Sequence, residues 1–260
     1  MKDYDGKNIV WGVTEILLVD GNKLFCTPGG TEANVIALDK NTGKLIWKSK
    51  GKGELSAYCS PMLIKLSNKK IVVTMTASSI IGIDASNGNL LWSHEQTNQY
   101  SVHANTPLYS NGFLYCVSGY GKGGVMLKLS ADGLSVTEIW RNTSLDNRMG
   151  GVVLLNGKLY GGGDKSRKWI VLDWKTGNEV CATELFSKTG NTISADGMLY
   201  CYSENGEVGL VEPKADGFNL ISKFKVPFGA NQHWAHLVIK DKKLYMRHGT
   251  SLMVYSIAAN

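Results

Sequence analysis

The feature that most constrains this chain is a repeat. Ile36-Ala37-Leu38-Asp39-Lys40-Asn41-Thr42-Gly43-Lys44-Leu45-Ile46-Trp47 and Ile81-Gly82-Ile83-Asp84-Ala85-Ser86-Asn87-Gly88-Asn89-Leu90-Leu91-Trp92 share one frame. It runs apolar, small, apolar, Asp, three variable residues, Gly, then Trp eight after the Asp. Ile170-Val171-Leu172-Asp173-Trp174-Lys175-Thr176-Gly177 is a third copy, with Cys181 in the Trp position. Looser copies follow at Ser130, Glu212 and Ser256, so anchors at 39, 84, 130, 173, 212 and 256 recur about every 43 residues. Upstream of the anchors lies a second signature, an Asp-Gly or Asn-Gly turn before an apolar run: Asp20-Gly21, Asn111-Gly112, Asn156-Gly157 and Asp196-Gly197. Such dipeptides between apolar runs signal tight β-hairpins.

Each period therefore reads as four short strands. In the second copy they are expected near Pro61 to Leu66, Lys70 to Thr76, Ser79 to Asp84 and Asn89 to His94. No long segment shows sustained 3.6-residue apolar spacing, which excludes a helical solenoid. Four antiparallel strands every 40–45 residues is the period of a β-propeller blade. The chain is expected to be all-β, one propeller domain of about six blades, with repeats near 10–55, 56–101, 102–146, 147–188, 189–230 and 231–260. The Asp can hydrogen-bond its own turn, the Gly supplies a positive φ, and the Trp suits an indole laid on a neighbouring blade. These residues are expected to make fold rather than chemistry. The sixth repeat lacks a fourth strand, so Met1 is expected to lie inside a longer protein, the other reading being an imperfectly closed six-bladed ring.

Composition narrows function. The net charge of +6 is scattered, and 260 residues with 43% hydrophobic content can bury a large core. Nucleic-acid binding is not indicated. Met1-Lys2-Asp3-Tyr4-Asp5-Gly6 is not the start of an export signal. The most apolar stretch, Ile71 to Ile83, falls short of the ~20 residues of a membrane span. Five cysteines (Cys26, Cys59, Cys116, Cys181 and Cys201) form no C-x-x-C or adjacent pair, which excludes a sequence-readable metal or redox motif. Gly119-Tyr120-Gly121-Lys122-Gly123-Gly124 matches a dinucleotide fingerprint but precedes a strand instead of a helix, so it reads as a loop between strands.

The pattern Ala-Leu-Asp-x-x-Thr-Gly-x-x-x-Trp, repeated as blades over residues 9 to 257, resembles the tryptophan-docking repeat of pyrroloquinoline-quinone-binding-like propellers, a WD40/YVTN-like architecture of bacterial proteins. Relatives include the quinoprotein alcohol dehydrogenases and the propeller lipoprotein of the outer-membrane assembly machinery. The resemblance implies rings that are commonly eight-bladed, a periplasmic or extracellular location, and pyrroloquinoline quinone with calcium as the cofactor to look for. The dehydrogenases characteristically carry adjacent cysteines, which this chain lacks.

In this topology the loops from each fourth strand to the next blade share a face with the loops between second and third strands. Loops on a rigid scaffold are where function concentrates. Aligning the six repeats brings Trp11, His103, Asn105, Arg148, Lys188, Gln232 and Trp234 forward as candidate ligand-binding residues, with Tyr58 beside them and Arg247 from the loops between second and third strands. They form a polar, basic mouth with two stacking surfaces. His103, His233 and His236 are the candidates for acid/base chemistry, and no metal site is expected. Glu32, Tyr120, Lys122, Asp164, Lys165, Glu204, Asn205 and His248 add to the same loops. Three functions stay open: a non-catalytic scaffold for a protein or small ligand, a quinone-dependent dehydrogenase acting on an alcohol or sugar, and a carbohydrate-binding or carbohydrate-cleaving propeller using acids such as Glu32 and Glu204.

Overall fold

The computed structural model describes residues 2–7 and 9–258. It is all-β of the propeller type, the only helix among the described residues being a 3-10 turn at Lys2–Tyr4. Two compact units divide the chain, Met1–Ser118 with Gly124–Arg141, and Gly119–Gly123 with Asn142–Asn260. The first carries three blades: β1 (Leu18–Asp20), β2 (Lys23–Cys26), β3 (Val35–Asp39) and β4 (Leu45–Ser49); β5 (Met62–Lys65), β6 (Lys70–Met75), β7 (Ser79–Asp84) and β8 (Leu90–Glu95); β9 (Leu108–Ser110), β10 (Phe113–Ser118), β11 (Gly123–Leu129) and β12 (Val136–Asn142). The second carries β13 (Val153–Leu155), β14 (Lys158–Gly162), β15 (Trp169–Asp173) and β16 (Glu179–Thr183); β17 (Gly190–Ala195), β18 (Met198–Ser203), β19 (Glu207–Lys214) and β20 (Gly217–Lys225); β21 (Val238–Lys240), β22 (Lys243–His248) and β23 (Ser251–Ser256). Within every sheet the strands lie in sequence order, and among the described residues the last sheet has three strands where the other five have four. The second blade falls within a residue or two of its expected bounds.

The middle strands of the second blade are buried on both faces: in β6 and β7, Ile71 to Met75 and Ser79 to Ile83 are buried throughout. Blades pack through these residues. Phe25, Val35 and Ala37 meet Val72, Ile81 and Ile83 in the first unit, and Tyr160, Trp169 and Val171 meet Leu199, Cys201 and Val211 in the second.

The repeat motif has the structural work expected of it. Asp39 Oδ1 accepts from the backbone N–H of Thr42 at 2.8 Å and of Asn41 at 3.0 Å, and Gly43 closes the turn at φ 69°. The Thr42 backbone bond, the largest influence, holds the Asp39 carboxyl below its ordinary value. Trp47 stands directly opposite Ala37, and Trp92 opposite Gly82. A Cβ on Gly82 would overlap the Trp92 ring, so the small residue is the floor on which the indole rests. Trp47 then reaches the following blade, donating from Nε1 to Ala85 O at 3.2 Å and covering Gly88. In the degenerate copy Cys181 takes that place, opposite Val171 and against Gly217 of the next blade's turn. A bulge recurs beside this position, between Ala37 and Leu38, Gly82 and Ile83, and Val171 and Leu172, which twists the outer strand locally.

Candidate functional site

In the first unit, the residues nominated from sequence split between surface and core. Trp11 is exposed, and its backbone N–H donates to Tyr58 Oη at 3.2 Å. Tyr58 holds φ at 72°, a left-handed conformation that a bulky residue seldom adopts. His103 is fully buried. Its Nδ1 lies 2.6 Å from Ser118 Oγ and its Nε2 3.2 Å from Ala77 O. A carbonyl can only accept, so Nε2 carries the proton and Nδ1 receives the Ser118 hydroxyl. Ser118 Oγ in turn accepts from Gln96 Nε2 at 3.3 Å, and Gln96 Oε1 accepts from Arg141 Nη1 at 2.6 Å. Arg141 pairs with Glu138 at 2.9 Å, and His94 meets the same carboxylate at 2.9 Å. A chain of donors thus runs from the blade surface to the interior. Asn105 is buried, and its carbonyl accepts from the Cys59 thiol at 3.3 Å. Burial pushes that thiol up to about 12, so it stays protonated and unreactive. Glu32 is exposed in an ion pair with Lys50 at 2.9 Å, and the Lys50 hydrogen bond holds its carboxyl below the ordinary value, opposite to what a general acid needs.

In the second unit, Arg148 gathers the polar groups. Its Nη2 donates to both carboxylate oxygens of Glu204 at 2.9 Å, and its Nε lies 3.4 Å from Asp164 Oδ1. The Tyr120 ring centre is 5.8 Å from the guanidinium carbon. Burial works against the charge, but hydrogen bonding and attraction from Glu204, with Asp164 behind it, outweigh burial and raise Arg148 further above its ordinary value. The glycine-rich loop wraps the same segment, since a Cβ on Gly119 would strike Arg148. One of its amides serves the protein's own acid: Asp146, fully buried, accepts from Gly121 N at 2.8 Å, and from Lys165 N of the loop between β14 and β15 at 3.2 Å. Burial raises the Asp146 carboxyl above its usual range. Asn147, Arg148, Met149, Gly162, Asp164 and Glu204 close on one another and leave no volume that a water-sized group could enter, where ordinary ligand pockets offer ~300–1,000 Å³.

The loop 226–236 brings the remaining candidates. His233 and His248 stack with ring centres 3.7 Å apart and planes 19° from parallel. Tyr202 Oη lies 2.6 Å from His233 Nδ1, and both nitrogens of His248 face carbonyl oxygens, Phe228 O and Asn231 O, each at 2.8 Å. Burial first, then His248 and Lys225, hold His233 below the ordinary imidazole value. His236 meets Met149 O at 2.7 Å, Arg247 Nη1 donates to Gly249 O at 3.0 Å, and Lys188, Gln232 and Trp234 are exposed. The structure therefore joins Trp11 to Tyr58, and Arg148 to Glu204, Asp164 and Tyr120, and ties the three histidines to backbone or hydroxyl partners. Sequence reading missed Asp146, Gln96, Ser118 and Tyr202, which carry no spacing signal because their partners lie far along the chain.

A search of curated protein sequences returns no match. Among solved structures the chain is similar to BamB from Moraxella catarrhalis, with TM-score 0.68 and 14% identity over 94% of this chain and 72% of that one. It is also similar to a computationally designed protein, Ika8 (TM-score 0.65, 13% identity, 95% of this chain and 71% of that one). Quinohemoprotein alcohol dehydrogenase from Comamonas testosteroni aligns with TM-score 0.61 and 14% identity over 90% of this chain, which spans about half (51%) of that one. At such identities the likeness establishes the blade architecture alone. The family model described as outer membrane protein assembly factor BamB matches residues 5–215, and with the repeat, the docked indoles and the blade topology in agreement, the chain belongs to that family of quinoprotein-like propeller repeats.

Proposed function

We propose that this chain is a non-catalytic propeller scaffold that binds a protein through exposed blade edges and loops. The observation that carries the reading is the state of Arg148. The strongest cation among the nominated mouth residues is already held by Glu204 and Asp164, with little room beside it. His103 is likewise spent on Ser118 and Ala77. A location outside the cytoplasm is part of the proposal, resting on the BamB family match and the BamB neighbour.

The dehydrogenase reading would need pyrroloquinoline quinone and a divalent cation. The described residues do not fit them: no three His, Cys, Asp or Glu side chains come together as cation ligands, and the acids Asp164 and Glu204 are occupied by a permanent guanidinium. The deciding experiment is a dye-linked assay of the purified chain with pyrroloquinoline quinone, Ca²⁺ and a panel of alcohols and aldoses, together with quinone titration of tryptophan fluorescence. No turnover and no quenching are expected; turnover above the protein-free control would sink the scaffold reading.

A further inference from the structure

Strand β20 is the longest outer strand among the described residues. It is outermost in its sheet and nine residues long, and Ile221 to Lys225 at its end are all exposed. The outer strands β4, β8, β12 and β16 have only five to seven residues. On β12 the cation Arg141 is already tied to Glu138. An outer edge presents N–H and C=O groups that a further strand can pair. Ile221 sits at a bulge, where the register steps from Leu210↔Ser222 to Val211↔Leu220, and it is 52% exposed with no residue opposite.

A cleft of about 610 Å³ runs beside this end, lined by Ser187, Asn205, Glu207, Lys223, Phe224 and Lys225. Lys223 and Lys225 are alternate residues, so they project to one side ~6–7 Å apart, the spacing of alternate side chains on a neighbouring strand. Lys223 reaches Glu207 only at 3.5 Å and stays 54% exposed. Lys225 is exposed, and its charge is felt by His233. Asn205 donates to Ser187 at one end of the cleft, leaving the Asn205 carbonyl and the Ser187 hydroxyl as polar anchors.

We propose that β20 and this cleft bind an extended acidic peptide, which adds as a strand along Ile221 to Lys225 and sets carboxylates at alternate positions against Lys223 and Lys225. The proposal rests on the scaffold reading above and names the partner's chemistry.

The test uses the full chain and a fluorescein-labelled ten-residue peptide of alternating Glu and Val, read by anisotropy. Two controls accompany it: the same peptide with Lys in place of Glu, and the Glu peptide N-methylated at alternate amides. Binding of the Glu peptide alone is expected, with loss of about tenfold or more in Lys223→Glu/Lys225→Glu and also on N-methylation, because charge and backbone pairing are both required. Lys225→Glu alone serves if the double variant melts early by circular dichroism. No binding of the Glu peptide, equal binding by the charge-reversed variant, or equal binding of the N-methylated peptide overturns the proposal. The dehydrogenase assay on the same preparation separates the two ideas. Turnover removes the scaffold reading whatever the peptide does, whereas absent peptide binding without turnover removes only the assignment of β20.

Discussion

His103 and Arg148 occupy the same position in successive repeats, at the start of a blade, yet their surroundings have little in common. His103 is fully enclosed in the first unit and bonded to neutral groups, a hydroxyl and a carbonyl. Arg148 in the second unit keeps 29% of its side chain exposed and is balanced by two carboxylates. A repeat dictates backbone geometry, but the side chain that fills a position answers to whatever its own neighbours supply. In one unit that is a hydrogen-bonded plug, and in the other an ion-pair cluster.

The largest expected effect comes from emptying the plug. His103→Ala should cost about 3 kcal/mol, combining the lost ring volume with an unpaired Ser118 hydroxyl. Urea denaturation at neutral pH measures it, and a cost below about 1 kcal/mol would mean the network is not what holds that interior. Arg148→Met should cost about 2 kcal/mol, less than a fully buried pair because water screens the guanidinium. This loss should shrink in 1 M NaCl, where the Debye length is ~3 Å, while that of His103→Ala should not. Equal salt dependence of the two would erase the distinction drawn here. Pairing Arg148→Met with Glu204→Gln in a double-mutant cycle should return a coupling energy of about 1 kcal/mol. Ser118→Ala removes one link of the neutral chain and should cost about 1 kcal/mol.

The smallest effect is a pH dependence in the loop 226–236. Because His233 is held below the ordinary imidazole value, the unfolded chain takes up a proton that the folded chain refuses over a window just below that value. Stability from this residue is therefore present above the window and lost as pH falls through it. Thermal unfolding from pH 7 down to pH 5 should show the decline, and His233→Gln should flatten it; an unchanged slope would show that His233 does not sense the loop's packing.

Much of the fold was legible because its determinants are local. Asp39, Thr42 and Gly43 complete their turn within five residues, and Ala37 and Trp47 face each other across one hairpin. Even Cys181 could be placed by counting, and it stands where the indole of other repeats does. The site was legible in part. Arg148, Glu204 and Asp164 were all marked as loop residues, but nothing in their spacing says that they neutralise one another. The glycine-rich loop was rightly read as a turn, though not as a wrap around Arg148 whose amide serves Asp146. Nor does the apolar alternation of β20 mark it as a strand that outruns its cover.

The sequence by itself determined the blade: its period, strand order, turns and docking positions, since each is settled by hydrogen bonds and steric fits between residues within one repeat or the next. Only the tertiary structure decided which polar side chains are free to meet a partner. Glu204 lies 56 residues from Arg148, and His103 is closed off by Ser118, 15 residues on, and by the carbonyl of Ala77, 26 residues back. Charge and hydrogen bonding act through distance in space, and a chain of repeats brings distant residues together at places that periodicity does not encode.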